Sequence, residues 1–225
     1  MIIALDASTP WLTLALSEGE DILFSVTHHT REAHSQWLIK YIKILKEEFA
    51  LSPDRLELVL VGLGPGSFTG VKIGNLVAKA IAYSYHKPLW GFSTLELLAS
   101  RVKFDPDYRE RTWESIVPVI YHKKEEIFWG EYSSRFGRFS VRVQSIAEFI
   151  EEMRGKNVLL VTPWAQLRTV FEEEKLLCFP LLLSFPRAEE FIRLFYQRRS
   201  QLAGAVQFNN VFEMTPLYGS KIFES

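Results

Sequence analysis

The sequence predicts a mixed α/β protein, and two stretches of the chain support that prediction. Residues 1–5, 11–16 and 22–26 are apolar or alternating runs separated by turn residues, which is typical of an antiparallel three-strand meander. Leu58–Val61 is apolar without alternation, as expected of a central parallel strand. This run leads through a glycine-rich turn into a long helical pattern that ends near Tyr85. A strand, glycine turn and helix in this order indicate either an anion-binding loop or a close contact between two backbones.

Composition and charge are those of an ordinary globular protein. Hydrophobic residues make up 48% of the 225 residues and charged residues 24%, and the formal net charge is -1. A nearly neutral chain gives no reason to expect direct binding to nucleic acid. The single cysteine, Cys178, excludes an internal disulfide and a thiolate-rich metal site, and its apolar neighbours favour a core position. Without a signal peptide or a long uncharged segment, we expect a cytoplasmic protein that does not enter a membrane.

Two helical patterns are more apolar than packing on a sheet requires. In residues 32–49 the apolar positions span roughly 220° of the helix circumference, whereas one-sided packing needs about 100°. In residues 70–85 small residues recur every four positions and form a smooth ridge, which predicts a close helix contact because interior glycine costs about 1 kcal/mol relative to alanine. The ridge consists of Gly70, Gly74, Ala78 and Ala82. The polar positions of the same helix, expected to be solvated, are Lys72, Asn75 and Lys79.

A polar segment divides the chain. Residues 104–112 carry five charged side chains, as a boundary between subdomains often does. We therefore assign residues 1–104 to an N-terminal subdomain, which the C-terminal part from about 187 to 225 completes, and residues 105–186 to a second, smaller one. In the second half we predict strands at 115–121, 126–132, 138–143 and 158–161, and helices at 145–155, 163–174 and 187–202.

Four motifs in the first 100 residues resemble one known family. In chain order they are Asp6-Ala7-Ser8-Thr9, His34-Ser35-Gln36, the run Gly64–Gly74 (Gly-Pro-Gly-Ser-Phe-Thr-Gly-Val-Lys-Ile-Gly) and Ser93-Thr94-Leu95. In this order and at this length they are similar to the TsaB (YeaZ) family, which takes part in the threonylcarbamoyladenosine (t6A) modification of tRNA. Pro216-Leu217-Tyr218 also resembles the closing Pro-x-Tyr of that family.

Three positions depart from the family pattern. Lys72 and Gly219 stand where the family has arginine, and Tyr121-His122-Lys123 stands where Asp-Ala-Arg is common. Lysine cannot reproduce the bidentate contacts of a guanidinium group. Contacts that depend on these arginines are therefore not expected to carry over to this chain.

The resemblance implies an actin-like ATPase (ribonuclease H-like) fold with two α/β subdomains, the second one reduced. It also implies a non-catalytic scaffold subunit that binds and activates a TsaD-like enzyme, in the complex that makes t6A at position 37 of ANN-decoding tRNAs. A TsaE-like ATPase joins that complex, and members of the family also form homodimers. ATP and metal are then expected on the partner subunits rather than on this chain, and tRNA is contacted only indirectly.

We place the partner interface on the two strongly apolar helices. Large apolar side chains are expected to dominate the binding energy there, and the small-residue ridge to allow close approach. The predicted interface residues are Trp37, Tyr41, Ile44, Gly70, Gly74, Leu76, Ala78 and Ala82.

A weaker candidate site lies at the turn after the first strand and at the glycine loop. Its residues are Asp6, Ser8, Gly66 and Ser67. Asp6 stands where an actin-like ATPase has an aspartate that contacts magnesium through water, yet no glycine follows it to let a phosphate approach. The loop also lacks the Gly-Lys-Ser/Thr ending of a Walker A motif. The alternative function is therefore a small ATPase or kinase-like enzyme, but we favour a structural role for the loop.

The sequence gives little support for a metal site or for a catalytic nucleophile. His29 and His34 are five residues apart, about 140° on a helix, and His28 would precede the helix, so we predict no metal site. Ser67 and Thr69 have no evident histidine or carboxylate partner, so no catalytic residue is assigned.

Overall fold

The two sheets of this protein repeat one strand arrangement. A computed structural model describes residues 1–30, 34–132 and 141–198. In the described part the first sheet has the strand order β3-β2-β1-β4-β5 and the second has the order β8-β7-β6-β9. The first sheet comprises β1 (Ile2–Asp6), β2 (Trp11–Glu18), β3 (Asp21–His29), β4 (Leu58–Gly62) and β5 (Leu89–Phe92). The second comprises β6 (Ser115–Lys123), β7 (Glu126–Trp129), β8 (Arg142–Ser145) and β9 (Val158–Val161).

Each sheet is an antiparallel meander with a parallel strand added beside its first strand. In the first sheet β1 pairs antiparallel with β2 and parallel with β4. In the second sheet β6 pairs antiparallel with β7 and parallel with β9. The repeated topology confirms the predicted α/β fold of two related halves, the second one smaller.

The helices follow the predicted pattern with small differences at their ends. They are α1 (His34–Glu48), α2 (Phe68–Tyr85), α3 (Thr94–Lys103), α4 (Ile146–Met153), α5 (Ala165–Glu173) and α6 (Glu189–Arg198). A capping box begins α4, with Ser145 and Glu148 capping each other's backbone N–H groups. A 3-10 turn at Leu181–Leu183 was not predicted. The closing motif Pro216-Leu217-Tyr218 lies outside the described residues.

The elements stack in layers, with α3 between the two sheets. The side chains of α1 and α2 cover one face of the first sheet, and α6 covers the other face. On α3, Leu97 belongs to the cluster around α6, whereas Leu95 and Leu98 pack against the second sheet. Every residue of α3 from Thr94 to Val102 is therefore buried, and α1 and α2 form an outer layer.

Polar groups in the central layer are paired. The Arg101 guanidinium donates to the Glu190 carboxylate at 2.6 Å, and their side chains are 8% and 0% exposed. Burial raises the pKa of Glu190, and the charges of Arg193 and Arg101 offset part of that rise. This pair joins α3 to α6 and so attaches the C-terminal helix to the first half of the chain.

The structure also bears on the position of Cys178 and on the length of the helices. Cys178 is buried in the cluster under α4 and α5, and burial raises the pKa of its thiol to about 12, as fits a core residue. Within the three described ranges, no helix has the length and apolar character that spanning a membrane requires.

Candidate functional site

Asp6 lies at the end of β1, and both of its carboxylate oxygens are bound within the chain. Oδ1 accepts from the backbone N–H and the hydroxyl of Ser8, both at 2.7 Å. Oδ2 accepts from the Thr94 hydroxyl at 2.6 Å, and the Ser8 and Thr94 hydroxyl oxygens are themselves 2.7 Å apart. Asp6, Ser8 and Thr94 thus form a closed ring of three side chains, and all three are at most 1% exposed.

The hydrogens in this ring favour a protonated Asp6. Three oxygen–oxygen contacts link the side chains, but the two hydroxyl groups supply only two hydrogens. A proton on the carboxyl group supplies the third. Burial raises the pKa of Asp6, although the hydrogen bonds from Thr94 and Ser8 offset part of the rise. Burial therefore favours the neutral acid, whose proton would also supply the third hydrogen of the ring.

The glycine loop packs directly on the Asp6 turn. The Ser67 N–H donates to the Ser8 carbonyl oxygen at 2.7 Å, and a Cβ added to Gly66 would lie 2.1 Å from the same oxygen. A Cβ added to Gly62 would lie 1.7 Å from the Asp6 carboxylate. All four candidates for a nucleotide site, Asp6, Ser8, Gly66 and Ser67, are thus brought together, with Thr94 and Gly62 added by the structure.

This arrangement does not fit a magnesium–phosphate group. A hydrated cation needs an accessible carboxylate oxygen, and a phosphate needs free N–H groups at the loop. Here the Asp6 carboxylate is buried and fully bonded, and the Ser67 N–H is used by Ser8. At the start of α2, the Gly70 N–H is bound by the Ser67 hydroxyl at 3.3 Å. The groups that would hold a nucleotide instead hold the turn, the loop and the start of α3 together.

The small-residue ridge was assigned to the wrong surface. Gly70, Gly74, Ala78 and Ala82 are all buried inside the chain and face the first sheet. A Cβ added to Gly70 would lie 2.0 Å from the Ala7 carbonyl oxygen, and one added to Gly74 would lie 3.4 Å from the Ala7 Cβ. The ridge lets α2 lie close to the turn after β1, so it is not available to a partner.

The large apolar residues predicted at the interface divide into two groups. Trp37 and Tyr41 are half-buried against β3, where the His28 ring lies 4.2 Å from that of Trp37 and its Nδ1 lies 2.9 Å from the Tyr41 hydroxyl. Ile44 is 37% exposed and Leu76 is 70% exposed. Leu76 lies on the outer side of α2, opposite the buried ridge. Leu76 is the most exposed residue of the predicted interface set.

Asn75 was also misassigned, because it was expected to be solvated with Lys72 and Lys79. It is 3% exposed, and its side-chain amide donates to the carbonyl oxygens of Gly62 and Val71. Asn75 therefore ties α2 to the end of β4. A lone amide between apolar positions of a helix could have signalled this role, since buried amides are normally hydrogen-bonded.

The histidines have separate structural surroundings. His34 begins α1, and its Nε2 lies 3.0 Å from the Thr9 carbonyl oxygen, whereas His29 packs against the Trp11 ring. Among the residues that the structure describes, no group of three or more His, Cys, Asp or Glu side chains is placed to hold a metal ion.

Replacing Asp6 tests the ring. We expect Asp6→Ala to lower the free energy of unfolding by about 2 kcal/mol or more, because it leaves the Ser8 N–H and one of the two hydroxyl groups buried without an acceptor. Asp6→Asn should cost less, since it keeps one side-chain oxygen as an acceptor and its amide supplies a hydrogen to the ring. Urea denaturation of both variants measures this difference.

The same variants give a pH test. A carboxyl group whose pKa is raised on folding contributes stability that is complete below its unfolded pKa, near about 3.9, and is lost as pH rises through the folded pKa. The stability of the wild type relative to Asp6→Asn should therefore fall as pH rises from about 4. A relative stability that increases with pH would contradict a buried neutral Asp6.

Replacing Gly70 tests the position of the ridge. Gly70→Ala should destabilise the chain by about 1–3 kcal/mol, because the added methyl group meets the Ala7 backbone. Ala80→Ser, at an exposed position of the same helix, is the matched control and should change stability by less than about 0.5 kcal/mol. A Gly70→Ala variant with wild-type stability in thermal denaturation would place the ridge outside the core.

Comparison with known proteins identifies the family. The model of the family described as "TsaD: tRNA N6-adenosine threonylcarbamoyltransferase" matches residues 22–157 of this chain. The TsaB protein of Buchnera aphidicola (Schizaphis graminum) is 22% identical over 213 residues, which cover 89% of this chain and 95% of that relative. The TsaB protein of Bacillus subtilis is 26% identical over 161 residues, covering 69% and 67% respectively. Both relatives are named tRNA threonylcarbamoyladenosine biosynthesis proteins.

A solved structure shares the fold. YeaZ from Pseudomonas aeruginosa superposes with a TM-score of 0.76 at 22% identity, over 96% of this chain and 98% of that one. The actin-like architecture expected from the sequence motifs is confirmed by this likeness and by the family match. The chain therefore belongs to the TsaD family and resembles, over most of its length, the family's TsaB (YeaZ) members.

Proposed function

We propose that this chain is a non-catalytic subunit of the machinery that makes t6A at position 37 of ANN-decoding tRNAs. In this role it binds a TsaD-like enzyme and activates it. One observation supports the proposal: both carboxylate oxygens of Asp6, which stands where an actin-like ATPase is expected to have its magnesium-contacting aspartate, are bound by Ser8 and Thr94 of the chain itself. The names of the TsaB relatives, which are t6A biosynthesis proteins, support the same pathway.

The outer side of α2 is the docking surface in this proposal. Large apolar side chains are normally buried, and a patch of them on a surface marks a site of interaction. Phe68, Leu76 and Tyr83 are 56%, 70% and 60% exposed on α2, and Ile39 is 65% exposed on the neighbouring α1. We call these four residues the α2 patch. In this proposal the α2 patch, rather than the buried ridge, meets the partner. Leu76 is the residue that the patch shares with the predicted interface.

The remaining components are assigned to other subunits. A TsaE-like ATPase joins the complex, and ATP and metal are bound by the partner chains. The complex as a whole engages tRNA, so this chain contacts it only indirectly. A homodimer through the same helices is an alternative assembly of the free chain. The cytoplasm, where tRNA is modified, is the expected location.

Substituting Leu76 tests the docking function. Leu76→Ser should weaken binding to the TsaD-like enzyme of the same organism by about 2 kcal/mol, or roughly thirtyfold, because a central apolar contact is lost. The t6A formed by reconstituted subunits at limiting concentration should fall with it. Since Leu76 is exposed, the variant should keep the melting temperature of the wild type.

Leu182→Ser is the matched control. Leu182 is 79% exposed, but it lies on the 3-10 turn of the second half, away from α2. Its substitution should leave binding and t6A formation unchanged. Wild-type binding by Leu76→Ser, or equal losses in the two variants, would refute docking through the α2 patch.

A further inference from the structure

The chain returns from its second half to its first half at Phe185, and the residues on both sides of this position are anchored. On one side, the buried Ser184 hydroxyl donates to the Pro180 carbonyl oxygen of the second half at 3.0 Å. On the other side, the Pro186 carbonyl oxygen accepts from the Thr27 hydroxyl of β3 at 2.9 Å. A single residue therefore separates the anchor in one half from the anchor in the other.

Three half-buried aromatic side chains pack together at this crossing. The Trp11 ring, on the first residue of β2, lies 5.2 Å from the Phe185 ring and 5.4 Å from the Trp164 ring, measured between ring centres. The planes of the two tryptophan rings are 88° apart, which is the edge-to-face geometry that aromatic pairs favour. We call Trp11, Trp164 and Phe185 the aromatic lock. It joins the first sheet directly to the second half of the chain.

Both tryptophans of the lock are fixed to their own half. The Trp11 N–H donates to the Thr9 hydroxyl at 3.2 Å, and the Trp11 carbonyl oxygen accepts from the same hydroxyl at 3.1 Å. The Trp164 N–H donates to the buried Thr162 hydroxyl in the loop after β9 at 3.3 Å. The Trp164 side chain also packs against the apolar clusters on both faces of the second sheet. A change in the angle between the halves would therefore separate the two rings.

The buried helix α3 also joins the halves, but it does not by itself fix the angle between them. Its apolar side chains pack against both halves without a directional bond to the second sheet. Packed helices slide past their neighbours in small shear movements that preserve such contacts. Rings that meet edge to face beside a chain crossing tolerate much less movement, because their contact area is small and depends on orientation.

We propose that Phe185 is a hinge between the two halves and that the aromatic lock immobilises it, so that the free chain keeps one angle between its halves. Subdomains within a chain are expected to move relative to each other unless their interface prevents it. A hinge absorbs such motion at one or a few residues in a loop or at the end of an element. Here the residue between the two anchors carries one of the packed rings, so any movement of the hinge has to break the lock.

The distance between the halves tests this inference directly. Spin labels are attached to Asp54→Cys in the first half and Glu173→Cys in the second, both at exposed positions. Cys178 stays unlabelled, because it is buried and burial raises the pKa of its thiol to about 12. Double electron–electron resonance on the full chain, diluted with unlabelled chain, should give one narrow distribution of distances. A free chain that already shows two populations would overturn the inference.

Removing one ring of the lock should release the hinge. Trp164→Ala is expected to add a second population at a different distance, whereas Trp164→Phe keeps an aromatic ring and should stay closer to the wild type. Trp90→Ala is the matched control. Trp90 is also half-buried and packs edge to face, at 5.7 Å from the Phe195 ring, but both of these residues belong to the first half. Its substitution should leave the distance distribution unchanged even if it lowers the melting temperature.

The remaining outcomes decide against the lock. An unchanged distribution in Trp164→Ala would overturn it, and so would equal broadening in Trp164→Ala and Trp90→Ala, since general loss of stability would then be the cause. If circular dichroism shows that Trp164→Ala does not fold, Trp11→Ala removes the same ring contact from the other half and replaces it in the test. Because the measurement uses the chain without its partner, the inference stands or falls independently of the docking function proposed above.

Discussion

The hydrogen-bonded ring of Asp6, Ser8 and Thr94 is the constraint on which the rest of the structure depends. It joins the end of β1 to the first residue of α3, which are 88 positions apart in the chain. Because α3 lies between the two sheets and is buried on every side, the contact that fixes its first residue also sets how the halves meet. The Arg101–Glu190 pair fixes the same helix further along and adds α6 to the central layer.

The ring also connects the fold to the function. A phosphate at the glycine loop would need free N–H groups there, and a hydrated metal ion would need an accessible oxygen of Asp6. Here Ser8 and Thr94 take up the hydrogen-bonding capacity of Asp6, and the loop packs on the turn through Ser67 and Gly66. These contacts hold the turn, the glycine loop and the start of α3 together. In the proposed function the docking surface is the outer side of α2, where Leu76 is exposed.

Local sequence patterns predicted most of the elements, but not which side of each helix faces the core. The strands at 58–61 and 158–161 follow directly from apolar runs. The four-residue period of Gly70, Gly74, Ala78 and Ala82 predicted a close contact correctly, but it does not say whether the contact is with a partner or with the Ala7 turn. The sequence marks Thr94 only as part of the Ser93-Thr94-Leu95 motif, because its contact with Asp6 joins residues far apart in the chain. Local periodicity contains no information about such contacts.

The most direct test of the account is calorimetric titration of the isolated chain with ATP and magnesium. If the Asp6 ring fills the nucleotide position, the wild type should give no saturable heat of binding at concentrations up to the millimolar range. Saturable binding with a micromolar dissociation constant, abolished by Asp6→Ala in a variant that remains folded, would contradict the central claim. The chain would then have to be regarded as a nucleotide-binding enzyme of the actin-like superfamily.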